Sequence, residues 1–199
     1  MQKKGERFRI VFNAPAVLVF ALLCLIALVL SMITGGSARR LLFSVYRSSL
    51  ARPLTWLRFF GHALGHKDWE HFFGNIMYIL ILGPMLEEKY GSSSMVFLML
   101  VTAFVTGLLT FLLAPGVAMC GASGIVFAMI LLSSFTEFHE RTIPLTVILV
   151  AALYIGQQVY NAVTVGGSVA YGAHIVGGVI GTVIGYAANK KTTRRAQGR

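Results

Sequence analysis

Four polar residues lie in stretches of this sequence that are otherwise apolar, and their side chains could together carry out nucleophilic chemistry. Ser123 and His174 each follow a glycine-alanine pair, and His71 and Asn75 are four positions apart in a third apolar segment. Polar side chains are costly in hydrocarbon, and where they occur in a membrane they usually serve a function. A neutral imidazole can accept the proton of a serine hydroxyl during its attack on a carbonyl and return it to the leaving amine. The four residues therefore predict water-dependent nucleophilic chemistry inside a bilayer.

The composition predicts that the chain is embedded in a membrane. Of its 199 residues, 56% are hydrophobic and 12% are charged, whereas soluble domains carry about 25% charged residues. Basic residues are concentrated in residues 1–10 and 190–199, which we interpret as tails that both face the cytoplasm. The net charge of +10 then reflects topology and attraction to membrane lipid, and we expect no nucleic-acid partner.

Six apolar segments are candidates for the spans of about 20 residues that cross a bilayer. They are residues 14–34, 68–86, 95–114, 123–135, 142–159 and 171–188. The fourth is too short to cross alone, which is tolerated when the preceding backbone lines a water-filled cavity. These segments predict one all-α domain, a six-span bundle with a short central fourth helix, and an even number of spans puts both tails on one side.

The connection between the first two spans, residues 35–67, is unusual in carrying six basic residues together with many apolar ones. In the predicted orientation it lies outside, where the positive-inside rule disfavours basic residues, so its charge is a cost to the topology. Its apolar content predicts a partly helical segment lying in the membrane interface.

Three spans are expected to deliver their polar groups to one depth. With about 1.5 Å of rise per helical residue, Asn75, Ser123 and His174 all fall about 5–10 Å below the outer surface. Ser123 also opens a helix, so backbone N–H groups and the helix dipole would face a developing oxyanion. His71 and Asn75, one turn apart, would add side-chain donors to the same oxyanion.

Small residues indicate which spans are in contact. Gly177 and Gly181 are four residues apart on the sixth span, and Gly124 begins a similar stripe on the fourth. Such stripes allow two helix backbones to approach closely. This contact would bring the imidazole of His174 to the Ser123 hydroxyl.

Three motifs resemble those of the rhomboid intramembrane serine proteases, in their six-span bacterial form. They are GASG at 121–124, GHALGHKDWEHFFGN at 61–75 and GAHIVG at 172–177, in the family's order. The resemblance runs from about Trp56 to Gly185 and implies a protease that cleaves transmembrane protein substrates in the bacterial inner membrane, without cofactor or metal.

The resemblance also implies roles for individual residues. Ser123 and His174 would form the catalytic dyad, His71 and Asn75 would bind the oxyanion, and Glu87 would be a structural glutamate. Gly121 and Gly124 flank the serine within the motif. The chain departs from the family at position 127, where Phe127 replaces a tyrosine that commonly stacks on the catalytic histidine, and at 57–58, where Leu-Arg replaces Trp-Arg.

Other classes of function predict other patterns. His62 and His66 have a spacing suited to zinc, with Asp68 and Glu70 nearby, but the glutamate of the zinc-protease motif is missing. A rhomboid-like protein that binds membrane clients without cleaving them would share the fold, and the presence of both dyad residues argues against it. A transporter would show inverted repeats or ionisable groups at all depths, and the sequence has neither.

Overall fold

The computed structural model of the chain describes residues 11–134, 145–164, 172, 175–180 and 182–183. Residues 1–10, 190–199 and most of the predicted span 171–188 therefore lie outside the described residues. The helices are α1 (Pro15–Ile33), α2 (Ser37–Leu42), α3 (Pro53–Gly61), α4 (Trp69–Tyr90), α5 (Ser92–Leu113), α6 (Ser123–Ser134) and α7 (Leu145–Thr164). A 3₁₀ turn at His62–Leu64 follows α3, and residues 175–180 are also helical. Within these ranges no strand forms, as the sequence predicts, and an isolated β-bridge joins Val45 to Met119.

The helix ends follow local capping and differ from the ends of the apolar segments. α4 begins after Asp68, whose carboxylate accepts a hydrogen bond from the backbone N–H of His71 at 2.7 Å. It ends at Gly91, where φ is +83°, a conformation that glycine adopts without strain. α5 starts immediately afterwards, at Ser92. Residues 68–86 and 95–114 are therefore the apolar parts of longer helices, because hydropathy does not detect caps. Similarly, α7 continues to Thr164, beyond the predicted residue 159.

The surface of the helices is apolar in the manner of a protein that contacts lipid. By length and composition, α1 and α5 could each cross a membrane, and α6 is a shorter apolar helix. Large apolar side chains are exposed along α1, α4 and α5, which is unusual for a soluble domain. They include Leu22, Ile26, Ile81, Phe97, Leu100 and Leu112.

α1 packs against α4 through a glycine and a glutamate. A Cβ atom built on Gly83 would lie 2.6 Å from a methyl carbon of Val17, so the two helices approach closely at this point. One turn further along α4, the carboxylate of Glu87 accepts the backbone N–H groups of Ala16 and Val17 at 2.9 and 3.0 Å. These donors belong to the first turn of α1 and have no carbonyl partner within their own helix. Glu87 thus has the structural role that the resemblance implied.

The segment between α1 and α4 is partly helical and packs over one end of the bundle. The ring of Phe59 lies edge-on to those of Phe104 and Phe111 on α5, with centroids 5.9 and 5.4 Å away. Arg58 donates from Nε to the carbonyl of Leu41 at 2.8 Å. The bridge from Val45 to Met119 joins this segment to the chain that leads into α6. The segment between α1 and α4 therefore helps to fix the start of α6.

Candidate active site

A cavity of about 920 Å³ opens at the end of the bundle where α6 begins. Its lining includes Ser123 and Phe127 from α6 and His71 and Asn75 from α4. Helices that are about fifty residues apart in sequence thus deliver these predicted site residues to one space.

Gly121 lies between Ser123 and the imidazole of His71. Its φ is +136°, a conformation that residues with a side chain rarely adopt. A Cβ atom built on Gly121 would lie 2.8 Å from Nε2 of His71 and 3.8 Å from the hydroxyl oxygen of Ser123. The backbone N–H of Gly121 donates to the carbonyl of His62 at 2.9 Å, which fixes this segment. The missing side chain therefore provides the space in which an imidazole lies next to a serine.

Ser123 is the first residue of α6, and its backbone surroundings suit a developing negative charge. The carbonyl of Ala122 accepts hydrogen bonds from Ile125 and Val126 at 2.9 and 3.0 Å, which starts the helix at the serine. The first N–H groups of a helix have no carbonyl partner within it, and the helix dipole is positive at this end. An oxyanion formed at the serine would meet both.

His71 and Asn75 are linked to each other along α4. The Asn75 amide donates to the backbone carbonyl of His71 at 2.7 Å, which holds the side chain against its own helix. The amide has a second N–H for another acceptor. Nδ1 of His71 is buried and has no hydrogen-bond partner among the described residues. Both side chains therefore keep polar capacity that a ligand in the cavity could use.

Gly124, directly after the serine, lies between two helices. A Cβ atom built on it would lie 3.3 Å from a methyl carbon of Thr106 and 3.6 Å from one of Thr102, both on α5. On its other side, a Cβ atom built on Gly177 would overlap the Gly124 carbonyl. The helical residues 175–180 therefore pack against the first turn of α6. His174 and Gly181 lie outside the described residues, and their positions stay predictions.

His62 and His66 are buried next to this site, in the segment that precedes α4. Nε2 of His62 lies 2.9 Å from the carbonyl of Ala103 on α5, and burial lowers the pKa of His62 to about 4. Burial, with a smaller contribution from nearby His71, also lowers the pKa of His66 to about 4. Among the described residues, no three His, Cys, Asp or Glu side chains are grouped to hold a metal. His62 instead connects α5 to the backbone of Gly121, a positioning role that the sequence did not indicate.

Basic residues of the segment between α1 and α4, whose only predicted effect was a cost to the topology, also line the cavity. They are Arg39 and Arg40 of α2 and Lys67 in front of α4, and the acidic residues Asp68 and Glu70 line it as well. The signal in the sequence was a group of basic residues in a loop that the predicted orientation places outside, where the positive-inside rule disfavours them.

Comparison with known proteins identifies the family. A family model described as the Rhomboid domain matches residues 53–191. The chain belongs to the rhomboid family. This confirms the resemblance seen in the sequence motifs, and a rhomboid chain with the apolar helices α1 and α5 is an integral membrane protein.

Individual relatives of this rhomboid chain come from bacteria, animals and plants. It is 27% identical to Rhomboid protease GlpG of Yersinia pseudotuberculosis over 188 aligned residues. The aligned region covers 92% of this chain and 66% of the relative. It is 30% identical over 148 residues to Rhomboid-related protein 2 of Mus musculus, covering 68% and 48% respectively. It is 24% identical over 143 residues to Rhomboid-like protein 11, chloroplastic, of Arabidopsis thaliana, covering 65% and 51%. The chain thus spans about half to two thirds of the length of these relatives.

Proposed function

We propose that this rhomboid protein is an intramembrane serine endopeptidase that hydrolyses peptide bonds in or near the transmembrane segments of other membrane proteins. The observation that carries the proposal is the cavity in which Ser123 meets His71 and Asn75 at the start of α6. The name of the Yersinia relative, a rhomboid protease, supports it.

In the proposed reaction, the Ser123 hydroxyl attacks the scissile carbonyl carbon while His174 accepts its proton. The resulting oxyanion is stabilised by the Ser123 backbone N–H and by donors from His71 and Asn75. His174 then protonates the leaving amine, and the C–N bond breaks to leave an acyl-enzyme. Water, deprotonated by the same histidine, attacks the ester and releases the new carboxyl end.

The contact between Gly124 and Gly177 supports His174 as the base. His174 precedes Gly177 by three residues, which is about one helical turn. Gly177 packs against the residue that follows Ser123. In the predicted span 171–188, an imidazole one turn before Gly177 would be within reach of the serine.

The test is cleavage of a single-span substrate by purified protein in detergent, with products identified by mass spectrometry. We expect Ser123→Ala and His174→Ala each to abolish cleavage. The double variant should be no worse than either single one, because a nucleophile and its base act as a unit. The control is Ser134→Ala on the same helix, since the Ser134 hydroxyl donates to the Ile130 carbonyl at 3.2 Å and should be dispensable.

The outcome that contradicts the proposal is equally defined. Wild-type protein that binds the substrate and never cleaves it would be a client-binding rhomboid-like protein. Cleavage retained by Ser123→Ala would mean that another group is the nucleophile. A double variant substantially slower than both singles would show that Ser123 and His174 act separately.

A further inference from the structure

Three basic side chains border the cavity that contains Ser123. Arg39 and Arg40 lie side by side on α2, and Lys67 precedes the cap of α4. Arg39 donates from Nη1 to the backbone carbonyl of Lys67 at 3.1 Å, which fastens α2 to the start of α4. None of the three side chains forms an ion pair within the part of the chain that the structure describes. Their charges are thus available to an anion in the cavity.

The acidic residues of the same cavity do not balance this charge across the surface. Asp68 keeps its negative charge and caps α4 by accepting a hydrogen bond from the backbone N–H of His71, so the cavity is lined by three basic and two acidic side chains. Glu70 is exposed on the first turn of α4. Residues 35–74 contain six basic residues, of which Arg58 is buried, against these two acidic ones, and the segment 114–122 has no charge. The end of the molecule that surrounds the cavity is therefore basic.

This basic surface is unexpected, because in the predicted orientation it lies on the outer side of the membrane, where lysine and arginine are disfavoured. A ligand in this cavity would lie near the three cations as well as near the serine. This inference rests on the proposed proteolysis, in which the ligand is a peptide segment of the substrate.

We propose that Arg39, Arg40 and Lys67 form a subsite for a substrate carboxylate, so that the protein selects transmembrane substrates with Asp or Glu in the water-facing segment next to the scissile bond. A single exposed ion pair contributes little, but three cations around one cavity act together. Charge complementarity of this kind changes selectivity and association rate more than it changes maximal affinity. We expect a preference of about threefold to tenfold in kcat/KM for an acidic over a neutral residue.

An anionic lipid headgroup is the other ligand that such cations could bind. Arg39 and Lys67 also line a smaller cavity of about 240 Å³ that lies against Leu28 and Met32 of α1. Arg40 lines the cavity that contains the serine and does not line the smaller one. Because all three cations line the cavity that contains the serine and only two of them line the smaller cavity, we favour a peptide carboxylate as the ligand. Lipid binding becomes an outcome of the test.

The experiment uses the full chain in bilayers of zwitterionic phosphatidylcholine with a series of single-span substrates. Each substrate carries Asp, Asn or Lys at one of several successive positions on the water side of the scissile bond. At the position that reaches the subsite, kcat/KM should rank Asp above Asn above Lys. The ranking should weaken as ionic strength rises from about 0.01 M to about 1 M, because the Debye length falls from about 30 Å to about 3 Å.

Charge reversal identifies the residues responsible. Arg40→Glu and Lys67→Glu should each reduce the ratio of the Asp to the Lys substrate about tenfold or more, while the Asn substrate is still cleaved. The matched controls are Arg47→Glu and Arg52→Glu, which reverse exposed charges of the same segment that do not line the cavity and should leave the ratio unchanged. Thermal unfolding of each variant checks that the fold is intact.

Several results would overturn the subsite. These are equal kcat/KM for all three residues at low ionic strength, or an unchanged ratio in Arg40→Glu and Lys67→Glu. If the cleavage rate depends on the fraction of anionic lipid and not on the substrate residue, the three cations bind lipid instead of substrate. If nothing is cleaved, the proposed protease function fails separately, and binding of the same peptides to Ser123→Ala still tests the preference for Asp over Lys.

Discussion

The backbone carbonyl of Gly124 lies against Gly177, so that no side chain fits between the two residues. A Cβ atom built on Gly124 would also lie 3.3 Å from a methyl carbon of Thr106 of α5, so the first turn of α6 is closely packed against α5 as well. Close approach through small residues is a common way for membrane helices to associate. The position of Ser123 relative to helical residues 175–180 is therefore set by two glycines.

We expect Gly177→Val to lose cleavage and to unfold at a lower temperature, because the branched side chain would push the two helices apart. Gly156→Val is the control. Gly156 is also helical, and a Cβ atom there meets no described residue within 4 Å, so little change in stability is expected. Cleavage assays and thermal unfolding in detergent measure both effects. A stable, active Gly177→Val protein would mean that the two helices can separate without harm.

Gly121→Ala should impair catalysis more than folding. The added methyl group would collide with the imidazole of His71 and would also occupy a strained backbone conformation. A displacement of about 1 Å at a reacting group can reduce the rate about 100-fold, and we expect a loss in kcat/KM of this order. Gly116→Ala, in the same segment but with no described residue within 4 Å of its Cβ, should behave like wild type. Kinetics of Gly121→Ala equal to those of wild type would show that the position of His71 does not matter for the reaction.

Asn75→Ala should leave weak, measurable activity with the fold intact. Removing one oxyanion donor typically costs a factor of about 100 to 1,000 in kcat. Met77→Ala, an exposed position on the same helix, serves as control. Single-turnover kinetics would separate the chemical step from substrate binding. Turnover equal to that of wild type would exclude Asn75 from the site.

Glu87→Ala should lower the free energy of unfolding by about 2 kcal/mol or more, because two backbone N–H groups lose a charged acceptor. The neighbouring Glu88 is exposed, so Glu88→Ala should change stability little. Denaturant titration of both variants makes the comparison. Equal stability of the two would show that α1 is held by packing alone.

Acid should destabilise the protein through His62 and His66, which lie outside the predicted spans. Burial lowers both pKa values from 6.5 to about 4, so between these values the unfolded chain binds more protons than the folded one. Stability is therefore fully present above about pH 6.5 and decreases as the pH falls towards 4. At about pH 5 each histidine accounts for a loss on the order of 2 kcal/mol. Unfolding measured across this range should show a shallower slope for His62→Asn, and an identical slope would contradict the assignment.

Features that depend on short-range sequence patterns could be predicted from the sequence. The all-α class, the start of a helix at Ser123 and the placement of His71 and Asn75 one turn apart follow from apolar runs, a short motif and helical periodicity. The helix ends could not, because caps such as Asp68 and Gly91 lie outside the apolar runs.

The tertiary structure alone decided how these local features meet. Gly121 carries nothing in the sequence to show that its φ is positive or that an imidazole from α4 occupies the space beside it. The loop cations likewise became cavity residues only when α2 packed over the start of α4. Such contacts join residues that are dozens of positions apart. Local periodicity defines the face on which a side chain lies, and only the packing of one helix against another determines which faces come together.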